Sequence, residues 1–251
     1  MEKEKLFFYI DSRNRLSGTT DDFTYKLNIP RAFNPKQCVL LSASIPKSYY
    51  AITDVNNKNQ FILSENNNNV TITIEPGNYT RKSLQQKISS KLNSTGSYTY
   101  NVYYSNTSNN LSTQPDTGKF IFEVSGNSSI QPKFIFTNGM YEQMGFSQNT
   151  TYTFNTDLLE APNVIKLVRE DALYIHSDLV QSFDNNVLQN IYASNFFNLG
   201  VITWDNPTPE WNMKTIGIKD NNTYRFYLSD EEGSRINLNN INMVLTLCII
   251  N

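Results

Sequence analysis

Apolar and polar residues alternate with a period of two in segment after segment of this chain, the signature of strands with one face buried and one solvated. Phe23, Tyr25, Leu27 and Ile29 fall on one side of such a segment, with Thr24, Lys26 and Asn28 on the other. Val39, Leu41, Ala43 and Ile45 repeat the pattern and stop at Pro46, which places Leu41 on the core-facing side. Val70, Ile72 and Ile74 alternate with threonines up to Pro76-Gly77; Tyr98, Tyr100, Val102 and Tyr104, and then Tyr224, Phe226 and Leu228, do the same. Shorter candidates lie at 60–63, 119–124, 133–136, 173–175, 187–193 and 201–204. The stretch from Met243 to Ile250 is apolar in both phases, which predicts a strand lying centrally in the fold. One segment has a different period. Leu84, Ile88 and Leu92 share a helical face, Thr80 suits an N-cap, and Asn93-Ser94-Thr95-Gly96 ends the helix. A further helical turn fits 140–144.

More than ten strands and one short amphipathic helix predict an all-β sandwich with loop insertions. No linker, charge block or internal repeat divides the 251 residues, so a single domain spanning 1–251 is expected. An inserted loop or small subdomain is placed within about 105–160, where the polar stretch Ser105–Thr117 reads as a surface loop. Asparagine is the unusual residue: there are 35 against 10 glycines, which marks it as the turn former between strands. Asn-x-Ser/Thr triplets such as those at Asn69 and Asn93 are what this composition produces by chance.

Charge removes several functions. Lys+Arg number 21 against 23 Asp+Glu, so no basic surface is organised around nucleic-acid phosphates. No apolar run approaches the ~20 residues of a membrane span, and Leu6–Ile10 is too short for a signal peptide. A reduced, cytoplasmic setting is the expectation for Cys38 and Cys248, both within predicted strands, although a bridge between them stays open.

Each candidate for chemistry has a plainer reading. His176 is the sole imidazole, and a lone histidine at a strand end is usually structural. No Gly-x-Ser-x-Gly elbow or His-Glu-x-x-His motif is present. Gly77-Asn78-Tyr79-Thr80-Arg81-Lys82-Ser83 lacks the glycine that a phosphate loop needs before its lysine, which leaves a strand-to-helix turn. Asp54-Val55-Asn56-Asn57-Lys58 puts a cation where a calcium loop wants an acid. Asp230-Glu231-Glu232-Gly233 reads as a solvated hairpin turn. Arg81, Lys82, Lys87 and Lys91 read as the solvated face of the helix. Trp204 and Trp211 flank a proline-rich loop that either stacks on a sugar or protein partner or is buried. No catalytic residue, metal ligand or cofactor site is therefore assigned.

Several segments, in order, resemble a known family. Phe8-Tyr9-Ile10-Asp11-Ser12-Arg13-Asn14-Arg15 leads through Asp22-Phe23-Thr24-Tyr25 to Ala43-Ser44-Ile45-Pro46-Lys47-Ser48-Tyr49-Tyr50, then Val55-Asn56-Asn57 and Phe61. Pro76-Gly77-Asn78-Tyr79-Thr80, Met144-Gly145-Phe146, Ala161-Pro162-Asn163 and Tyr174-Ile175-His176-Ser177-Asp178-Leu179 follow. This pattern resembles the penton, or minor capsid, proteins of virophages, Polinton-like viruses and related large DNA viruses, and thins beyond about Asn198. The resemblance implies a single jelly roll of eight main strands in two sheets. It also implies a homopentamer at the vertices of an icosahedral virion, surrounded by double-jelly-roll major capsid protein and assembled in the cytoplasm of an infected cell. It implies no enzymatic activity. Two other readings stay open: a carbohydrate-binding or receptor-attachment β-sandwich that takes a host receptor or glycan on exposed loops, and a cement protein away from the vertex.

Overall fold

The computed structural model describes residues 4–104, 116–126, 130–137, 139–168, 172–181, 186–193 and 200–251. The chain forms two compact units, one from Met1–Tyr49 with Glu170–Asn251 and the other from Tyr50–Arg169. The range 105–160 expected to hold an insertion lies within the second unit, and residues 105–115 of the predicted surface loop lie outside the described residues.

The first stretch of chain supplies β1 (Lys5–Asp11), β2 (Ser17–Gly18), β3 (Asp22–Lys26) and β4 (Gln37–Pro46). The second unit contains β5 (Gln60–Glu65), β6 (Asn68–Thr73), helix α1 (Arg81–Thr95), β7 (Thr99–Tyr104), β8 (Phe120–Ser125), β9 (Lys133–Phe136), α2 (Tyr141–Met144), β10 (Thr150–Thr153) and β11 (Leu158–Glu160). The chain then adds β12 (Ala172–Ser177), β13 (Val187–Tyr192), β14 (Val201–Asp205), β15 (Lys214–Thr215), β16 (Thr223–Ser229) and β17 (Val244–Ile250). The fold is predominantly β, as the alternation predicts.

In the first unit, one antiparallel sheet runs β1-β17-β4-β14, with β15 on the end of β4, and the other runs β13-β12-β16-β3-β2. Ile10, Ala43, Ile45 and Leu247 from the first sheet share one buried cluster with Phe23, Leu173, Ile175 and Phe226 from the second. The predicted central position of the last strand holds, since β17 pairs with β1 on one side and β4 on the other. Its two apolar phases serve different faces. Leu245, Leu247 and Ile249 enter the main core, whereas Cys248 and Ile250 join Val39 in a small cluster on the opposite face.

Leu41 does not face the main core as the alternation predicts. Thr246 pairs with Ser42 while Leu247 pairs with Leu40, so Leu41 is an extra residue opposite β17, a β-bulge. The bulge shifts the phase by one. Cys38 and Leu40 point into the core before it, Ala43 and Ile45 after it, and Leu41 is half-buried on the other face. Asn206 occupies the bulge. Its backbone N–H donates to the Leu41 carbonyl at 2.7 Å and its Nδ2 to the Leu40 carbonyl at 2.8 Å. The strand predicted to reach Ile29 ends at Lys26, after which the Leu27 N–H donates to the Asn222 carbonyl at 2.9 Å instead of to a strand neighbour.

The second unit holds a four-stranded sheet, β10-β9-β5-β6, and a three-stranded sheet, β11-β8-β7. Leu84, Ile88 and Leu92 of α1 are buried with Phe61, Phe122 and Phe134. Thr80 caps the helix as expected. Its hydroxyl accepts from the Ser83 N–H at 3.1 Å and the Ser83 hydroxyl accepts from the Thr80 N–H at 3.0 Å, a reciprocal capping box. The helix runs three residues past Leu92 because Asn93 has a tertiary partner. Its Nδ2 donates to the Tyr100 carbonyl and its Oδ1 accepts from the Tyr100 N–H, both at 2.7 Å. Glu65 is buried at the following turn and accepts from the Ser97 N–H at 2.6 Å and the Tyr100 hydroxyl at 2.7 Å. The asparagine-turn reading also holds. Among the described residues, nine of the ten non-glycine positions with positive φ are asparagines, including the consecutive pairs Asn56-Asn57, Asn66-Asn67 and Asn239-Asn240.

Candidate interaction surface

His176 is buried on β12, on the face opposite the core residues Leu173 and Ile175, its Nε2 2.8 Å from Ser229 Oγ and its ring stacked on Tyr227 at 4.5 Å between centroids. The contact has the form of a serine–histidine pair. The Ser229 hydroxyl also lies 3.0 Å from the Asp230 carbonyl, a competing acceptor for its one hydrogen. A base that activates serine must accept from it. Both residues are also buried.

The acidic run 230–232 corrects in part the expectation of a solvated turn. Asp230 is buried, and its Oδ1 accepts from the Glu232 N–H at 3.0 Å and the Ser234 N–H at 2.7 Å, which ties the turn after β16 from within. Glu231 and Glu232 are exposed. Residues 55–57 form a kinked turn with Asn56 and Asn57 in the left-handed region. Gly77 exchanges backbone bonds with Ile52, and the α1 capping box occupies the amide that a phosphate would need.

The cations of α1 are largely neutralised. Lys87 and Lys91 reach Glu75 at 2.9 and 3.0 Å, and these two partners hold its carboxyl down at about 2. Arg81 pairs with Asp116 and lies over the Tyr104 ring at 4.4 Å. This face suits water better than a polyanion. Among the described residues, no group of three His, Cys, Asp or Glu side chains could hold a metal ion.

Cys38 and Cys248 are free and buried. They lie on adjacent strands, but Cys38 points into the main core and Cys248 to the opposite face. Burial, with the Cys248 thiol second, pushes Cys38 up to about 12, and burial also raises Cys248.

The surface that stands out is aromatic. In β1, Leu6, Phe8 and Ile10 pack against the core, leaving Lys5, Phe7 and Tyr9 on the outer face, where Phe7 is 57% and Tyr9 74% exposed. β1 ends its sheet. The Asn251 N–H donates to the Glu4 carbonyl and the Ser12 N–H to the Met243 carbonyl, so the ladder to β17 uses even-numbered residues. The backbone groups of Lys5, Phe7 and Tyr9 therefore point to the free edge, where the Tyr25 hydroxyl donates to the Tyr9 carbonyl at 3.3 Å. The two tryptophans separate. Trp204 is half-buried against the main core, whereas Trp211 is 82% exposed. Its loop is held by Asn206, whose Oδ1 accepts from the Thr208 N–H and Asn212 Nδ2 at 3.1 and 3.0 Å. The exposure of Phe7 and Tyr9 is not predicted, because all five residues from Leu6 to Ile10 are apolar and carry no phase.

No protein-family model and no curated protein matches this chain. Among solved structures the chain is similar to a crystal structure of the mavirus penton protein, at 9% identity over 98% of this chain and 99% of that one, with a TM-score of 0.44.

Proposed function

We propose that the first unit is a single jelly roll and that the chain is a viral capsid subunit forming the homopentameric vertex capsomer of an icosahedral DNA-virus shell. The supporting observation is the strand order. Numbered one to eight along the chain, the main strands of this unit are β1, β3, β4, β12, β13, β14, β16 and β17, and its sheets read 1-8-3-6 and 5-4-7-2. That interleaving of chain-distant strands is the double Greek key of jelly rolls, a design used by capsid and lectin domains. The second unit is then an insertion between strands three and four.

A fold does not specify a role. The capsid reading draws on the ordered segments from Phe8 to Leu179 that resemble virophage and Polinton-like penton proteins. The His176–Ser229 pair is buried and Asp230 is taken up by backbone amides of its own turn, which is compatible with a subunit that acts by shape. A five-membered ring needs two different, mutually complementary patches on each protomer. The Phe7–Tyr9 face is one candidate patch. The double-jelly-roll major capsid protein is the proposed neighbour in the virion, and Trp211 is available to a further partner.

The test is electron cryomicroscopy of virions carrying a tagged copy of the chain. Tag density confined to the fivefold vertices is the expected result. Density spread over the faces would point to a cement protein, and its absence from particles would overturn the capsid role.

A further inference from the structure

We propose that the second unit binds a neutral saccharide in the cleft between the α2–Gln148 segment and residues 163–166. This goes beyond the capsid reading and does not depend on it. The cleft is open to solvent and has a volume of about 390 Å³, within the range of small-molecule sites. Backbone bonds fix its two walls to each other. The Asn163 N–H donates to the Gly145 carbonyl and the Lys166 N–H to the Glu142 carbonyl, both at 2.9 Å. Gly145 has φ +80°, and a Cβ there would lie 2.4 Å from the Asn163 carbonyl oxygen, so the two walls approach as closely as backbone allows. The floor is Phe146, stacked on Phe136 at 4.8 Å and packed on Tyr152 at 4.7 Å. A site this well braced loses little entropy when it is filled.

The lining chemistry narrows the occupant. Its charged groups, Glu142 and Lys166, face each other at 3.3 Å, so the cleft is electrically neutral. A phosphorylated ligand would find its cation already paired, and a metal ion would find one carboxylate already engaged. The rim is too polar for a lipid chain, with Ser147, Gln148 and Asn163 all exposed there. Asn163 Nδ2 donates to Ser147 Oγ at 3.4 Å, which leaves the serine hydrogen and the asparagine Oδ1 to a ligand. Amide and hydroxyl groups beside Tyr141 and the exposed Val164 offer polar partners next to an apolar surface. Hydroxyl groups around a ring with an apolar face complement that arrangement, which is the chemistry of an uncharged sugar.

The experiment applies the full chain to an array of immobilised neutral and sialylated oligosaccharides, then titrates the strongest binder by calorimetry. Saturable binding to a neutral glycan is expected. Gln148→Ala should weaken it about ten-fold, the effect of one lost hydrogen bond of ordinary strength. Ser147→Trp, which fills the cleft, should abolish it with the circular dichroism unchanged. Binding to no glycan, preference for sialylated glycans, or full binding by both variants would overturn the proposal. So would loss of binding in Trp211→Ala with retention in Gln148→Ala, which would move the site to the first unit.

Discussion

The two units solve the same burial problem with different material. Among the described residues, five of 27 in the first unit's buried cluster are aromatic, and Leu and Ile dominate a core from two sheets whose members come from both ends of the chain. Among the described residues of the second, eight of 21 are aromatic, and α1 and two small sheets surround a set of touching rings. Phe134 alone lies 5.0 Å from Phe122, 5.2 Å from Phe154 and 5.3 Å from Phe61. The difference follows from connectivity. The first unit pairs Lys5 with Ile250, so long backbone ladders define it. The second is continuous in sequence, its strands are short, and large rings bury more area per residue than aliphatic side chains. Sheet order specifies one unit and ring packing the other.

That contrast is tested most severely at the bulge in β4. Leu40→Asp places an unpaired charge in the ladder-built core and should prevent folding, whereas Leu41→Asp should yield folded protein. Circular dichroism of the two variants checks this, and equal behaviour would mean the phase shift is wrong. Next in size is Phe134→Ala, which removes a ring from the centre of the second unit and should cost about 3–5 kcal/mol in urea unfolding. If the second unit is specified by ring packing, residues 50–169 expressed alone should unfold cooperatively, and Phe134→Ala should abolish that transition. Glu65→Ala leaves the Ser97 N–H and the Tyr100 hydroxyl without their acceptor and should cost about 1–3 kcal/mol in the same assay.

The smallest effect is electrostatic. The Glu75 carboxyl is held at about 2 against an ordinary 4.5, so its ion pairs stabilise the fold above pH 4.5 and are lost as pH falls from 4.5 towards 2. Thermal unfolding of Glu75→Gln should therefore differ from wild type at pH 6 and converge with it near pH 2. Because the carboxylate is exposed, high salt should shrink the difference.

Much of this architecture can be read from residue order. The strands observed at 60–65, 133–136 and 187–192 lie where candidates are read at 60–63, 133–136 and 187–193, the last strand where the apolar run from Met243 to Ile250 places it, and the Thr80 cap where its chemistry does. What escapes that reading has identifiable causes. β10 is Thr-Thr-Tyr-Thr and β11 only three residues, so neither offers an apolar phase to detect. The bulge at Leu41 is invisible because Val39, Leu40 and Leu41 are all apolar and either phase is plausible until Asn206 is seen to fill the irregularity. Asp230 reads as solvated because its partners are backbone amides, which leave no trace in sequence. The cleft at Gly145 depends on a close approach to Asn163, eighteen positions away.

The vertex proposal makes one direct demand on the isolated protein. Light scattering behind size exclusion, at high concentration, should give a species of five times the 28.8 kDa chain mass, and Tyr9→Glu on the exposed β1 face should reduce it to the monomer. A wild-type protein that stays monomeric across the accessible concentration range, or that forms a closed dimer, would contradict the account.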